Sequence, residues 1–289
     1  FDTVVVGAGQ AGVAMSEHLT ALGIHHVVLE RDRIAERWRT CRWDSLVANG
    51  PAWHDRFPNL AFEGSAEAFV DKERVAAYFE TYAKRFNAPI RTGVTVTSVT
   101  PEGGGFHIET TEGAMSARNV VAATGAFQDP AIPPVVPEDA GPLQIHSNAY
   151  RNPGQLPDGA VLVVGGGSSG VQIAEELMQA GRTVYLSLGP HDRPPRRYRG
   201  RDNVWWLGVL GKWNADSPGP GTEHVTIAVS GAEGGKTIDF RRLAHQGMTL
   251  LGRTTGYQDG KVLFAADLQD NLAKGDANYL SVLDEADAY

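Results

Sequence analysis

The chain has 289 residues, enough for two domains, and its 42% hydrophobic and 21% charged residues fit a globular protein rather than a disordered or fibrous one. A net charge of −8 argues against nucleic acid as the main partner. The single cysteine, Cys41, excludes a disulfide framework and any C-x-x-C dithiol chemistry; no apolar run approaches the roughly 18 residues of a membrane span, and no secretory leader is visible, so the cytoplasm is the expected compartment.

The chain opens in an apolar strand, Val4-Val5-Val6, that runs into Gly7-Ala8-Gly9-Gln10-Ala11-Gly12. Because Phe1 already lies in this strand and is not Met, a few leading residues are expected before it. The first glycine of such a motif turns the chain out of the strand, the second lets a pyrophosphate approach the backbone, and the third lets helix and strand pack closely. The helix that follows presents bare N–H groups and a partial positive charge to the phosphate. It stops at Gly23, and a second strand, Val27-Val28-Leu29-Glu30, completes a β-α-β unit. That context makes the glycine spacing specific. Glu30 is placed to bond the ribose hydroxyls of an adenosine and to repel a 2′-phosphate, which suits FAD or NAD, with Arg31 beside it. His25-His26, between helix and strand, reads as exposed.

Residues 31–66 hold Trp, Arg and Pro without periodicity and read as an ordered excursion; its His54-Asp55 is a loop pair with no further support. Val70–Phe86 is an amphipathic helix with Val75, Tyr78, Phe79 and Tyr82 on one face and Asp71 as its cap. Residues 90–123 read as a strand, a small meander turning at Glu112-Gly113, and a buried strand Asn119–Ala123. A proline-rich crossover fills 128–159.

The phosphate-binding unit then recurs. Val161-Leu162-Val163-Val164 leads into Gly165-Gly166-Gly167-Ser168-Ser169-Gly170, a helix stops at Gly181, and Val184-Tyr185-Leu186-Ser187 follows. The position matching Glu30 is Leu188. Arg193, Arg196 and Arg197 come soon after it, a pattern that suits the 2′-phosphate of NADPH; a solvated basic loop is the plain alternative. Asn214–Glu223 and Gly231–Lys236 are loops, 243–251 a helix end and a strand, and 267–289 a helix with Asp267 as candidate cap. Two such units imply an α/β fold with two Rossmann-like domains.

With Gly7, Gly9, Gly12, Glu30 and Gly165, Gly167, Gly170 in place, the chain resembles the flavin-containing monooxygenase superfamily. Ala122-Ala123-Thr124-Gly125 matches the segment that joins the two domains of that family. Arg42-Trp43-Asp44-Ser45-Leu46 with Asn49-Gly50-Pro51 resembles its flavin-facing loop, and His146 and Tyr150 match the end of its fingerprint. Departures are Ala140 and Pro142 where the fingerprint begins, and Ala35-Glu36-Arg37-Trp38 where G-G-x-W is usual. The family also runs on well past the point where this chain ends, so the resemblance implies a C-terminally truncated relative with a less closed flavin pocket.

The resemblance implies an FAD-binding domain over 1–155, an inserted NADPH-binding domain over 156–255, and an incomplete return toward the first domain over 256–289. It implies a monooxygenase that uses FAD, NADPH and O2 to oxygenate a soft nucleophile, an amine nitrogen or a sulfide, through a C4a-hydroperoxyflavin. An oxidase releasing H2O2 and a non-catalytic nucleotide-binding protein are the alternatives, and a homodimer is left open. It assigns Gly7, Gly9, Gln10, Ala11, Gly12, Glu30, Arg31, Thr124 and Gly125 to FAD, and Gly165, Gly167, Ser168, Ser169, Gly170, Ser187, Arg193 and Arg196 to NADPH. Asn49 supplies a side-chain amide to flavin or nicotinamide, unless it serves only the Asn-Gly turn. Trp38 and Trp43 wall the flavin or fill the core. His146 and Tyr150 anchor the linker, and Trp205-Trp206 pack the second domain.

Overall fold

A computed structural model describes residues 1–216, 219 and 226–289. The first unit consists of β1 (Thr3–Val6), α1 (Gln10–Ala21) and β2 (His26–Glu30). The excursion contains only a short α2 (Glu36–Thr40), followed by α3 (Lys72–Arg85), β3 (Ile90–Thr92), the meander β4 (Val96–Glu102), β5 (Gly105–Thr110) and β6 (Gly113–Ala117), and β7 (Asn119–Ala122). β1 pairs in parallel with β2 and β7, and β2 with β3, giving the order β3-β2-β1-β7. Val4, Val5 and Val28 are fully buried in this sheet. Parallel strands covered by helices read as continuous β-branched runs because neither face meets water.

The second unit is β8 (Val161–Val164), α4 (Ser168–Gln179) and β9 (Val184–Ser187). Short pairs follow: β10 (His191–Asp192), β11 (Arg197–Tyr198), β12 (Arg201–Asp202) and α5 (Asn203–Val209), then β13 (Thr226–Ile227), α6 (Phe240–His245) and β14 (Thr249–Leu251). β14 pairs in parallel with β9, giving the order β14-β9-β8. A hairpin, β15 (Thr254–Gln258) and β16 (Lys261–Phe264), precedes α7 (Leu268–Ala288). Most of the loop expected at 214–223 lies outside the described residues.

The helix signals act as their chemistry demands. Gly23 and Gly181 take left-handed φ of +67° and +81°. Each lets its own amide and the next bond back into the helix, Gly23 to Thr20 and Ile24 to Leu19, Gly181 to Met178 and Arg182 to Leu177, the Schellman closure. Asp71 caps α3 by accepting from Arg74 N at 2.9 Å.

Three expectations are corrected. His26 is buried rather than exposed, because its ring bonds Ser16 Oγ at 2.8 Å and Ile24 O at 2.9 Å as β2 enters the sheet. Asp267 stands at the N-cap of α7 without capping it, since its carboxylate accepts instead from Arg253 N at 3.0 Å. α7 is fastened to the second unit instead of leading toward the first. Asp276 binds Arg193 and Arg241, Asp287 binds Tyr198 and Arg199, Glu285 binds Lys212, and Leu272 joins the core of the second unit.

Candidate functional site

The two glycine motifs fold into the same shape. Gly7 and Gly165 take φ of +104° and +105°, conformations that strain any side chain. Gly7 N donates to Leu29 O at 2.8 Å and Gly165 N to the aligned Ser187 O at 3.0 Å. A Cβ on Gly12 would sit 1.8 Å from Gly7 O, and one on Gly170 would sit 1.9 Å from Gly165 O. Helix and turn are therefore in backbone contact in both units. Around Gly9, where a ligand's pyrophosphate would approach, a Cβ would meet nothing within 4 Å. At Gly167 it would come no closer than 3.3 Å, to Thr226. Both α1 and α4 start with no side chain capping them, leaving their first N–H groups to an anion. Gln10 and Ala11 are exposed on the first turn of α1, as is Ser169 on that of α4, whereas Ser168 Oγ is turned to Ile227 O at 2.8 Å.

Beyond the glycines the units diverge. Glu30 accepts from Ala8 N at 2.7 Å and from Asp32 N at 2.9 Å, which fixes the carboxylate at the rim of the first cradle with lone pairs to spare. In the second unit the matching side chain, Leu188, is fully buried and packs under Gly166, where a Cβ would fall 2.4 Å from Leu188 Cδ2. Arg31 is exposed, paired with Asp32 and Gln128.

The side chains expected at a 2′-phosphate are engaged elsewhere. Ser187 is buried; it donates to Gly252 O at 2.8 Å and accepts from Thr254 N at 3.0 Å, bracing the end of β14. Arg193 forks onto Asp276 of α7 and lies over Tyr279. Arg196, 3% exposed, forms a two-pronged pair with Asp202 at 2.9 and 3.1 Å and covers the Phe69 ring. These cations serve tertiary packing, and the guanidinium beside the end of β9 is that of Arg253, whose Nε is 3.6 Å from where a Gly189 Cβ would be.

A cavity of about 540 Å³ opens between the α4 N-terminus and the 38–49 loop. Trp38, Trp43, Asn49, Ser168 and Ser169 meet there, joined by Phe127. Trp43 both fills the core, at 5% exposure, and walls this cavity; Trp38 is half-buried, edge-on to Phe79 and under Arg42. Thr124 and Gly125 stay outside the lining. They link β7, which touches the first cradle at Ala123, to the Ala126–Phe127 wall. Burial and the neighbouring Arg37 pull the Arg42 guanidinium below its ordinary value, and both arginines line the cavity. The loop is held by Lys72, whose buried ammonium reaches Arg42 O and Asp44. Glu176 of α4 ties the units together by accepting from Ser45 Oγ and from Tyr150 OH, each at 2.6 Å. Tyr150 therefore anchors the linker, while His146 lies on the cavity wall.

Sequence reasoning passed over Gln172 and Phe127. A buried polar residue between Val171 and Ile173 in the second turn of α4 was the available signal for Gln172. Among the described residues no cluster of His, Cys, Asp and Glu suits a metal ion, and no helix is long and apolar enough to cross a membrane.

Two glycine cradles, each at a helix N-terminus, with a cavity opening at the second, define a protein built on two dinucleotide-binding units. Residues 4–196 match the pyridine nucleotide-disulphide oxidoreductase family, and the chain belongs to it. An uncharacterized CzcO-like oxidoreductase of Geobacillus kaustophilus is 40% identical over 216 residues, covering 74% of this chain and 62% of that protein. Indole-3-pyruvate monooxygenase YUCCA1 of Oryza sativa subsp. japonica is 33% identical over 184 residues, covering 62% of this chain and 45% of that protein. The flavin-containing monooxygenase of Stenotrophomonas maltophilia shares the fold, with a TM-score of 0.63 at 22% identity over 99% of this chain and 98% of that one. The chain spans 62–63% of the length of the bacterial oxidoreductases it matches.

Proposed function

We propose that the chain forms the FAD- and NADPH-binding part of a monooxygenase that places one oxygen atom of O2 on a soft nucleophile, an amine nitrogen or a sulfide. The observation that carries this reading is the pair of like cradles, with a cavity walled by Trp38, Trp43 and Asn49 opening at the start of the second cradle's helix. The rice relative, an indole-3-pyruvate monooxygenase, favours oxygenation by O2 as the reaction type, without bearing on the amine or sulfide acceptor. We assign 1–155 to FAD, 156–255 to NADPH, and the protein to the cytoplasm, where a chain with one cysteine needs no disulfide.

FAD and NADPH, when bound, supply the redox chemistry that activates O2. The protein's residues bind, orient and enclose. The Gly7–Gly12 turn and the bare start of α1 hold one pyrophosphate, and the spare lone pairs of Glu30 take ribose hydroxyls. The Gly165–Gly170 turn and Ser169 do the same for the second nucleotide. Arg37 and Arg42 bring positive charge to the cavity, and Trp38, Trp43 and Phe127 limit its water. Asn49 contributes a neutral hydrogen-bonding group where the units meet.

The test is reconstitution with FAD, followed by parallel measurement of NADPH consumption, H2O2 and oxygenated product with a panel of amines and sulfides. Product that tracks NADPH supports the assignment. Stoichiometric peroxide with every candidate would make the protein an oxidase, and failure to take up FAD would remove both activities.

A further inference from the structure

The turn that carries Asn49 is gripped by the second unit. Gln172 Nε2 is 2.9 Å from Asn49 Oδ1 and 2.8 Å from Val229 O. A main-chain carbonyl only accepts, so the Gln172 group facing Val229 is its NH2. That same NH2 faces Asn49, which must answer with its oxygen. The amide of Asn49 is thus oriented by an unambiguous backbone acceptor, and its own NH2 is left outward on an exposed residue that lines the cavity.

The backbone of the turn is held as firmly. Arg196 Nη1 donates to Asn49 O at 2.6 Å while its other two nitrogens fork onto Asp202. Gly50 N donates to Asp55 Oδ2 at 3.1 Å, and a Cβ on Gly50 would fall 2.1 Å from Asp55 Oδ1. From the second unit, Gly231 lies so close that its Cβ would be 2.1 Å from Ala48 O. Gln172 and Arg196 are both more than nine-tenths buried; Gln172 borders the cavity, but its Nε2 is engaged by Asn49 Oδ1 and Val229 O, and the Arg196 nitrogens by Asp202 and Asn49 O.

We infer that Gln172 and Arg196 are positioning residues for Asn49. Together they present its amide to the cavity as a hydrogen-bond donor, so that the nucleotide-binding second unit sets the polarity of the wall where flavin and nicotinamide meet. This rests on the function proposed above only for the identity of the acceptor. The group that Asn49 meets must offer a lone pair, as a carboxamide oxygen or a ring nitrogen does.

Gln172→Glu tests it, because a carboxylate cannot donate to Asn49 Oδ1. The Asn49 amide should turn over, with its NH2 directed inward. In cofactor-free, nitrogen-15-labelled protein the Asn49 side-chain NH2 signal is identified by its loss in Asn49→Asp. Its exchange with water should slow about tenfold in Gln172→Glu at pH 8, and recover as the pH falls and the new carboxyl is protonated. With FAD bound, the rate of flavin reduction at saturating NADPH should fall about tenfold, and the flavin absorption band should shift. In an Asn49→Ala background, Gln172→Glu should cost nothing more, because the two act through one group. Arg196→Lys, which keeps the charge but loses the fork, should give a smaller loss with the same dependence on Asn49. Equal amide exchange in wild type and Gln172→Glu, or losses that add in the double variant, would overturn the inference. A wild-type protein that binds no FAD would remove the monooxygenase reading, and the cofactor-free exchange would still decide this one.

Discussion

The glycines of the first cradle are expected to separate folding from binding. With alanine at position 12, the new methyl would lie 1.8 Å from Gly7 O, and that oxygen belongs to backbone that cannot rotate away. To reach ordinary contact, α1 must retreat from the turn by roughly 1.5 Å or more, in a close-packed interior where even one methylene is felt. The retreat would draw Val13 and Leu19, both buried, out of their packing. Overpacking of this kind costs about 1–3 kcal/mol, which for a domain of this size lowers Tm by about 2–12 °C. Gly9 is the opposite case. Its φ of −79° suits alanine and a Cβ there would touch nothing. Gly9→Ala should cost at most about 1 kcal/mol, the step that separates glycine from alanine at an N-cap, and the stiffer unfolded chain offsets part of it. Its methyl instead occupies the approach of the pyrophosphate, and FAD affinity should drop by at least about tenfold, or 1.4 kcal/mol. Thermal melting of cofactor-free protein, followed by titration with FAD monitored through quenching of its fluorescence, reads both effects. If Gly12→Ala melts with the wild type, or Gly9→Ala binds FAD as tightly as the wild type, the cradle does not work as described.

Nucleotide preference should not depend on Arg193. Arg193→Ala should leave the ratio of reduction rates with NADPH and NADH unchanged, because Arg193 is bound to Asp276; a ratio narrowed about tenfold would restore Arg193 to the phosphate site. Burial holds the His191 imidazole below its ordinary value of 6.5, with Arg193 acting the same way against Gly189 O, Asp192 and Asp276. The unfolded chain therefore takes up the proton first, and stability should hold above about pH 7 and decline as the pH falls below 6.5. Melting curves from pH 8 to 5 should show a shallower decline in His191→Asn, and an unchanged slope would exclude His191 as the source. Burial and Glu176 push the Tyr150 phenol far above its usual value, so it remains a donor at any working pH. Tyr150→Phe should cost about 1–3 kcal/mol by stranding a Glu176 oxygen, yet leave the pH profile of turnover unmoved; a lost alkaline limb would show that the phenol titrates in catalysis.

Much of this protein is local and was therefore legible in the amino-acid order. Each β-α-β unit is written in adjacent residues: apolar strand, glycines at the turn, helix, and a glycine where the helix must end. The left-handed φ of Gly7, Gly23, Gly165 and Gly181 and the cap at Asp71 are properties of single positions and their near neighbours. The meander and the amphipathic α3 follow from period and turn chemistry alone. The fates of the charged and polar side chains are another matter. Arg193 is claimed by Asp276, Ser187 by Gly252 and Thr254, Arg196 by Asp202 and the backbone of Asn49, and Asp267 by Arg253. A guanidinium a few residues past a nucleotide-binding strand looks the same in sequence whether it meets a phosphate or a carboxylate. Which one it meets depends on α7 folding back onto the second unit and on the second unit pressing against the Ala48–Asn49 turn. Those contacts join residues far apart in the chain, where no spacing rule operates, and burial then makes each pairing obligatory because an unpaired charge in the interior is too costly to keep.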